Sequence, residues 1–354
     1  MILDRFFPVP RFLDVAYLGV DISDRSVRYV GLTRTKDGLQ VSSNGERRLP
    51  AGAVVRGIIE KKEGLIAPLK EIRRVTGTPF VKASLPEEQA YIFELSISGV
   101  SESDLRGSVE LQLEEHVPLD PASAVFDYQI VSKEKDTYFL SVTAFSKDVA
   151  ESYAATFEEA GFTALSFEVE SQAVSSAAVK FGDERTYMIV DFGDGRTGIS
   201  IVRRGVVVFT STIEVGGRDL TEAIAKQFSL SKEDAEKAKR EYGFSQAGKG
   251  KDIFSAVLSP LSALRDEINR HYIYWHSHKD EEGNARPKIE QLILCGGDAN
   301  LKGAVEYFET SLHLPTIKAN VWQNINPLSL YVPPISYNDS LTYATAIGLS
   351  VPPK

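Results

Sequence analysis

Apolar and polar positions fall into a readable order from Tyr17 onward. The segment "YLGVDISDRSVRYVGLT" gives an apolar strand, a polar turn around Asp24 and Arg25, and a second strand in which Val27, Tyr29 and Gly31 alternate with Arg28 and Val30. The spacing of Leu65, Leu69, Ile72 and Val75 predicts a helix, and "FVKASLP" reads as a strand after it. A different texture begins near Glu87. "SESDLRGSVELQLEEHVPLD" reads as a helix capped by Ser101 or Ser103 and stopped at Pro118, "AVFDYQIV" and "TYFLSVTAFS" as strands, and "DVAESYAATFEEAGF" as a helix closed by Gly161. These pieces predict an inserted α-β-β-α subdomain over about residues 87–162, a size common for such units.

Beyond it, "ALSFEVESQAVSSAAVKFG" runs from a strand into a small-residue helix, and "YMIVDFGDGRTGISIVRRG" then repeats the opening of the chain. Each copy has a strand ending in Asp (Asp21, Asp191), a Gly/Ser-rich turn, a hydroxyl residue (Ser26, Thr197) and a second strand. Duplicated strand–turn–strand units imply an α/β fold of two halves that face each other across a cleft.

Composition narrows the function. The 354 residues, 43% hydrophobic and 25% charged, suffice for two cores. A net charge of −9 without a basic cluster interleaved with aromatics argues against nucleic acid as a partner. The single cysteine, Cys295 in "LILCGG", excludes a disulfide framework and reads as a small buried strand residue. His271, His276 and His278 in "HYIYWHSH" lack ligand spacing and read as a helix face. No apolar run approaches the ~20 residues of a spanning helix, so the chain is expected in the cytoplasm. The opening "MILDRFFPVPRFLD", broken by Pro8 and Pro10, reads as a lead-in and not as a membrane helix.

Four segments carry candidate chemistry. Asp21, Ser23, Asp24, Arg25 and Ser26 form the first turn; Asp191, Gly193, Asp194, Gly195, Arg196 and Thr197 form the second. Each is either a plain hairpin turn or a loop whose backbone N–H groups cradle phosphate, with Asp21 and Asp191 holding Mg²⁺ through its waters. "LILCGGDANLKG" brings Gly296 and Gly297 before a helix that Asp298 or Asn300 could cap, either a βα turn or backbone lying against a flat base. In "VGGRDLTEAIAKQFSLSKEDAEKAKREYG", Gly216, Gly217 and Asp219 open an amphipathic helix, and Ser231 with Asp234 caps the next. Glu236 and Lys239 share a face of that second helix, as a surface ion pair or as contacts to a ribose and a base.

The order of these pieces, ending in "LTYATAIGLS", resembles the actin-like ATPase superfamily. Within it, "LGVDISDRSVRYV", "ELQLEEHVPLD", "DFGDGRTGISIVRRG", "GGRDLTEAIAKQF" with "AEKAKREYG", "CGGDANLKG" and "LTYATAIGL" are similar to the PilM family of type IV pilus assembly proteins, over roughly residues 16–350. The resemblance implies two duplicated domains, residues 1–183 and 184–354, around a nucleotide cleft. It places the inserted subdomain on domain I, a nucleotide-binding subdivision at about 215–285 in domain II, and a C-terminal helix, 336–350, packed back on domain I. ATP with Mg²⁺ is the implied cofactor. The implied partners are the cytoplasmic N-terminal tail of the inner-membrane protein PilN, met beside the insert, and other pilus inner-membrane platform components, with self-association open. Such a chain sits at the cytoplasmic face of the inner membrane through its partner.

The chain departs from that pattern at three places: Ser23 and Asp24 stand where Gly and Ser are common, Asp194 where a small residue is usual, and Asp298 where Gly or Ser is common. Carboxylates near a polyphosphate cost Coulomb energy unless Mg²⁺ or a cation such as Arg25 or Arg196 offsets them. Glu170, at the start of the connecting helix, matches a water-orienting position, which makes the chain at most a slow ATPase. Two other functions share this fold: a small-molecule kinase, which needs a base and substrate pocket that the insert does not display, and an FtsA-like membrane filament protein, which carries a C-terminal amphipathic helix where this chain ends "LSVPPK".

Overall fold

The computed structural model describes residues 15–36, 38–280, 283–325 and 331–352. The reading of residues 1–14 as a lead-in lies outside them. Strand β1 (Tyr17–Ile22) is buried along almost its whole length, because it runs through the middle of a sheet covered on both faces. It pairs antiparallel with β2 (Ser26–Thr35), which pairs with β3 (Gly38–Arg48). A two-residue hairpin, β4 (Val54–Val55) and β5 (Ile58–Ile59), leads to α1 (Lys62–Thr76), which buries Leu65, Leu69 and Ile72 as the apolar spacing requires. Strand β6 (Phe80–Leu85) then lies parallel to β1.

The insert follows: β7 (Ala90–Ser98), α2 (Leu105–His116), β8 (Ala124–Glu134) and β9 (Thr137–Ser146), with the three strands antiparallel in the order β7-β9-β8. This differs from the α-β-β-α unit read over 87–162 in two ways. The unit begins with a strand, and the helix expected to close it, α3 (Lys147–Glu159), turns Tyr153 and Phe157 into one cluster with Leu18, Leu69 and Val81 of domain I. An amphipathic helix follows the larger apolar surface within reach, and here that is the host sheet. Strand β10 (Thr163–Val169) returns beside β6, so the sheet reads β10-β6-β1-β2-β3.

Helix α4 (Glu170–Ala178) leads into domain II: β11 (Thr186–Phe192), β12 (Thr197–Arg203), β13 (Val206–Ile213), α5 (Gly217–Phe228), α6 (Lys232–Tyr242), α7 (Lys249–Ser277), β14 (Gln291–Cys295), α8 (Ala304–Leu312) and β15 (Thr316–Lys318). Its sheet, β13-β12-β11-β14-β15, has the order of the first, antiparallel on one side of the opening strand and parallel on the other. Asp21 and Asp191 are each the penultimate residue of that opening strand. Cys295 is fully buried at the end of β14.

The last helix, α9 (Ala344–Ser350), lies on β1 and α4. A β-carbon at Gly348 would overlap the Ala173 carbonyl and one at Gly19 the Ala346 carbonyl, so two glycines set this close approach. The insert leans on domain II: Ser141 Oγ donates to the Val207 carbonyl, and Glu94 pairs with Arg203 and Arg286.

Candidate functional site

The turns after β1 and β11 meet across the cleft. Arg25 Nη1 lies 2.6 Å from Asp194 Oδ2, and Arg196 Nη1 lies 3.8 Å from Asp24 Oδ2. The first turn is held from within domain I: Ser23 N donates to Ser26 O at 2.9 Å, Ser26 N donates to Ser23 Oγ at 3.2 Å, and the Asp24 carboxylate accepts from the amides of Arg56 and Gly57, both at 3.2 Å. Asp21, 7% exposed, accepts the Ser84 hydroxyl at 3.1 Å. Burial raises its pKa against the pull of Arg28. Burial and the Asp21 charge push Asp191 up to about 6.

In the second turn, Gly193 N donates to the carbonyls of Asp191 and Arg196, each at 3.1 Å. Two of the first amides of α5 go to this turn, Gly217 N to Gly193 O at 2.9 Å and Arg218 N to Asp194 O at 2.7 Å, while Gly216 N donates to Asp219 Oδ2 of the same helix at 2.8 Å. A helix N-terminus is a ready anion site when its amides are free; these amides are bonded to protein. Thr197 Oγ1 donates to the Val215 carbonyl at 2.7 Å and fixes the same junction. A β-carbon at Gly195 would stand 3.2 Å from Arg218, whose guanidinium also pairs with Asp194 at 3.1 Å.

At the expected adenosine end, Lys239 is 2% exposed. Its ammonium lies 2.9 Å from Glu236 Oε2, from Asp298 Oδ1 and from the Gly217 carbonyl it donates to. Glu236 also accepts from Thr221 and Arg240, each at 2.7 Å. Burial raises the pKa of Asp298, and Lys239 opposes it. A β-carbon at Gly217 would overlap the Asp298 carboxylate, and one at Gly296, where φ is +83°, would overlap Asp191 and the Phe192 carbonyl. Gly297 stands 3.2 Å, measured from where its β-carbon would be, from Thr342. Neither Asp298 nor Asn300 caps the helix that follows, whose N-cap is Gly303; Asn300 donates to the Asn338 carbonyl at 2.7 Å. The i,i+3 pair of Glu236 and Lys239 is present, with Lys239 buried at 2% and Glu236 partly exposed at 31%, and the ammonium is also engaged by Asp298 and the Gly217 carbonyl.

The acids that complete the cleft were not singled out in the sequence. Glu87 and Glu88 follow β6, which lies parallel to β1 and so ends at the same rim, where open α/β sheets bind ligands. The signal was the pair of acids directly after an apolar strand. Arg196 pairs with Glu88, and its Nη2 is 3.6 Å from Glu170. Burial lifts Glu170 well above the usual carboxylate range, with Arg196 opposing. Among the described residues no three His, Cys, Asp or Glu side chains converge as direct metal ligands.

Glu87, 9% exposed, accepts the Ser171 amide through Oε2 at 3.1 Å while Oε1 has no partner, and burial pushes its pKa from 4.5 up to about 7. A raised folded pKa means the folded state binds the proton more tightly, so this contribution is complete below pH 4.5 and is lost as pH rises through 7. Glu87→Gln is expected to be more stable than wild type at about pH 8, by on the order of 2–3 kcal/mol. It should also flatten the fall in stability between about pH 5 and 7, read by urea unfolding across pH. An unchanged slope in that window would refute the assignment.

Comparison with known proteins fits this architecture. The chain shares 29% identity over 152 residues with ethanolamine utilization protein EutJ of Escherichia coli (strain K12), 43% of this chain and 46% of that one, so it spans under half the length of that relative. A solved PilM-PilN type IV pilus biogenesis complex superposes with a TM-score of 0.79 at 20% identity, covering 96% of this chain and 99% of that one. MreB5 of Spiroplasma citri bound to ADP does so at 0.55 and 15% identity, covering 94% of each. These likenesses establish the actin-like ATPase fold. The family model described as type IV pilus assembly protein PilM matches residues 19–352, which takes in both sheets, the insert and every cleft turn: the chain belongs to that family.

Proposed function

We propose that the chain is a scaffold of type IV pilus assembly that holds the extended cytoplasmic N-terminal tail of an inner-membrane protein of the PilN kind. The observation that carries this reading is a groove of about 670 Å³ between the insert and domain I, edged by β8 on one side and β10 on the other. Each is the outermost strand of its sheet, β8 pairing with β9 and β10 with β6. An edge strand offers a row of backbone donors and acceptors to an added chain, and alternate side chains of that chain would drop into the groove. The Ser166 hydroxyl on β10 is buried there without a partner. The likeness to the PilM-PilN complex supports the choice of partner. Among the described residues no helix is long and apolar enough to cross a membrane, and in this reading the partner supplies the attachment. Titration calorimetry with a synthetic PilN tail peptide is expected to give saturable one-to-one binding; no heat at any concentration up to the millimolar range would refute the reading.

Mg·ATP in the cleft is a second reading, supported by the strand-end pair Asp21 and Asp191 and by the likeness to ADP-bound MreB5. Asp21 and Asp191 would hold Mg²⁺ through water, and the turns at Ser23 and Gly195 would face the phosphates. As built, the adenosine end does not fit the group: Asp298 fills the space over Gly217, and Lys239 is already engaged. Entry of a nucleotide therefore requires that pair to separate, and Glu170, engaged by Arg196, would make any turnover slow. A rise in melting temperature with Mg·ATP that Asp21→Ala or Asp191→Ala abolishes would support this reading; no shift at millimolar Mg·ATP would remove it.

A further inference from the structure

We infer that the chain carries its own latch across the interdomain cleft, in which the Arg196 guanidinium of domain II, gripped by Asp24, Glu88 and Glu170 of domain I, holds the two domains closed without any ligand. The three carboxylates come from three separate segments of domain I: the turn after β1, the residues after β6, and the first residue of α4. A planar guanidinium with five donors can serve several acceptors at once, which a lysine ammonium matches poorly.

The pairs that cross the cleft are not equal. Arg25 with Asp194 and Arg56 with Glu214 have side chains 45% to 71% exposed, and such pairs contribute little. Arg196 is 22% exposed, with Glu88 at 12% and Glu170 at 19%, so its attractions are screened less by solvent. A second desolvated clasp joins domain II to the insert: Arg286, stacked over Trp275 at 4.4 Å, pairs with Glu94, each side chain 18% exposed. The latch also sets the groove. The tip of the β12–β13 hairpin, Arg204 to Val206, belongs to domain II and lines the same cavity as β8 and β10, so any opening of the cleft withdraws one wall. In this fold, domain closure then needs no nucleotide, and a polyphosphate must displace Arg196 to enter.

The test measures the distance between spin labels on Glu63→Cys of domain I and Glu233→Cys of domain II, in a Cys295→Ala background, by pulsed electron resonance. The unliganded protein is expected to give one narrow distribution that millimolar Mg·ATP leaves in place. Arg196→Ala is expected to lengthen and broaden it, and Arg196→Lys to restore it only in part. Because Arg196→Ala could act by loosening domain II alone, Glu88→Gln with Glu170→Gln breaks the same latch from the other side and should give the same broadening, with circular dichroism matching wild type. A broad distribution in unliganded wild type, one that narrows on adding Mg·ATP, or latch variants indistinguishable from wild type would each overturn the inference.

Discussion

Lys239→Ala is expected to destabilise the protein by about 3–5 kcal/mol, the cost of stranding a buried charge when its partner is removed. Asp298, 4% exposed, would lose its cation, and the Gly217 carbonyl one of its donors, the Thr221 hydroxyl remaining. An exposed i,i+3 pair would cost a few tenths of a kcal/mol, so the two descriptions differ about tenfold and chemical unfolding separates them. The double variant Lys239→Ala, Asp298→Ala should recover much of the loss, because no orphaned carboxylate remains. A single variant within about 0.5 kcal/mol of wild type would return Lys239 to the surface.

The second large effect concerns the groove. Val125 and Gln129 on β8 are exposed and line it, so Val125→Glu with Gln129→Glu should leave folding almost unchanged, as surface changes usually do. Affinity for the PilN tail should nevertheless fall about 30-fold or more, since a hot-spot loss of about 2 kcal/mol has that effect. Cα–H and amide pairing along β10 would survive, which is why loss need not be complete. Unchanged affinity in a folded double variant would move the tail to another face.

The duplicated frame was legible because its signals are local. Apolar runs, glycine-bearing turns and the matched aspartates appear in order, and the actin-like fold follows from their repetition. What escaped depends on partners distant in sequence. β3, "GLQVSSNGERR", is polar because it lies at the rim of its sheet, so periodicity hardly marks it. β7 does alternate, through Tyr91, Phe93, Leu95 and Ile97, yet it sits between a short 3-10 turn and a loop that gave no hairpin signal. The helix at Tyr153 and Phe157 shows its apolar face in the sequence, but not which of two neighbouring surfaces receives it.

The site shows the same division. Asp21, Asp24, Arg25, Asp191, Asp194 and Arg196 converge, while the protein partners of the fourth segment lie on elements distant in sequence. Asp298 looked like a charge without compensation because Lys239, its partner, lies on another helix and only the fold brings them to 2.9 Å. Gly216 and Gly217 looked like room for a ligand, and that room is taken by Asp194, Arg196 and Asp298. Arg196, read as a counter-charge for phosphate, meets acids from domain I that lie far from it in sequence.

The central claim, that β8 and β10 flank the seat of a partner's tail, is tested most directly by amide hydrogen exchange of the intact chain with and without saturating PilN tail peptide. The account predicts new protection at about residues 124–130 and 163–169, the two strand edges, with smaller change at the 203–206 hairpin tip. Protection confined to other surfaces, with both edges exchanging as in the free protein, would contradict it.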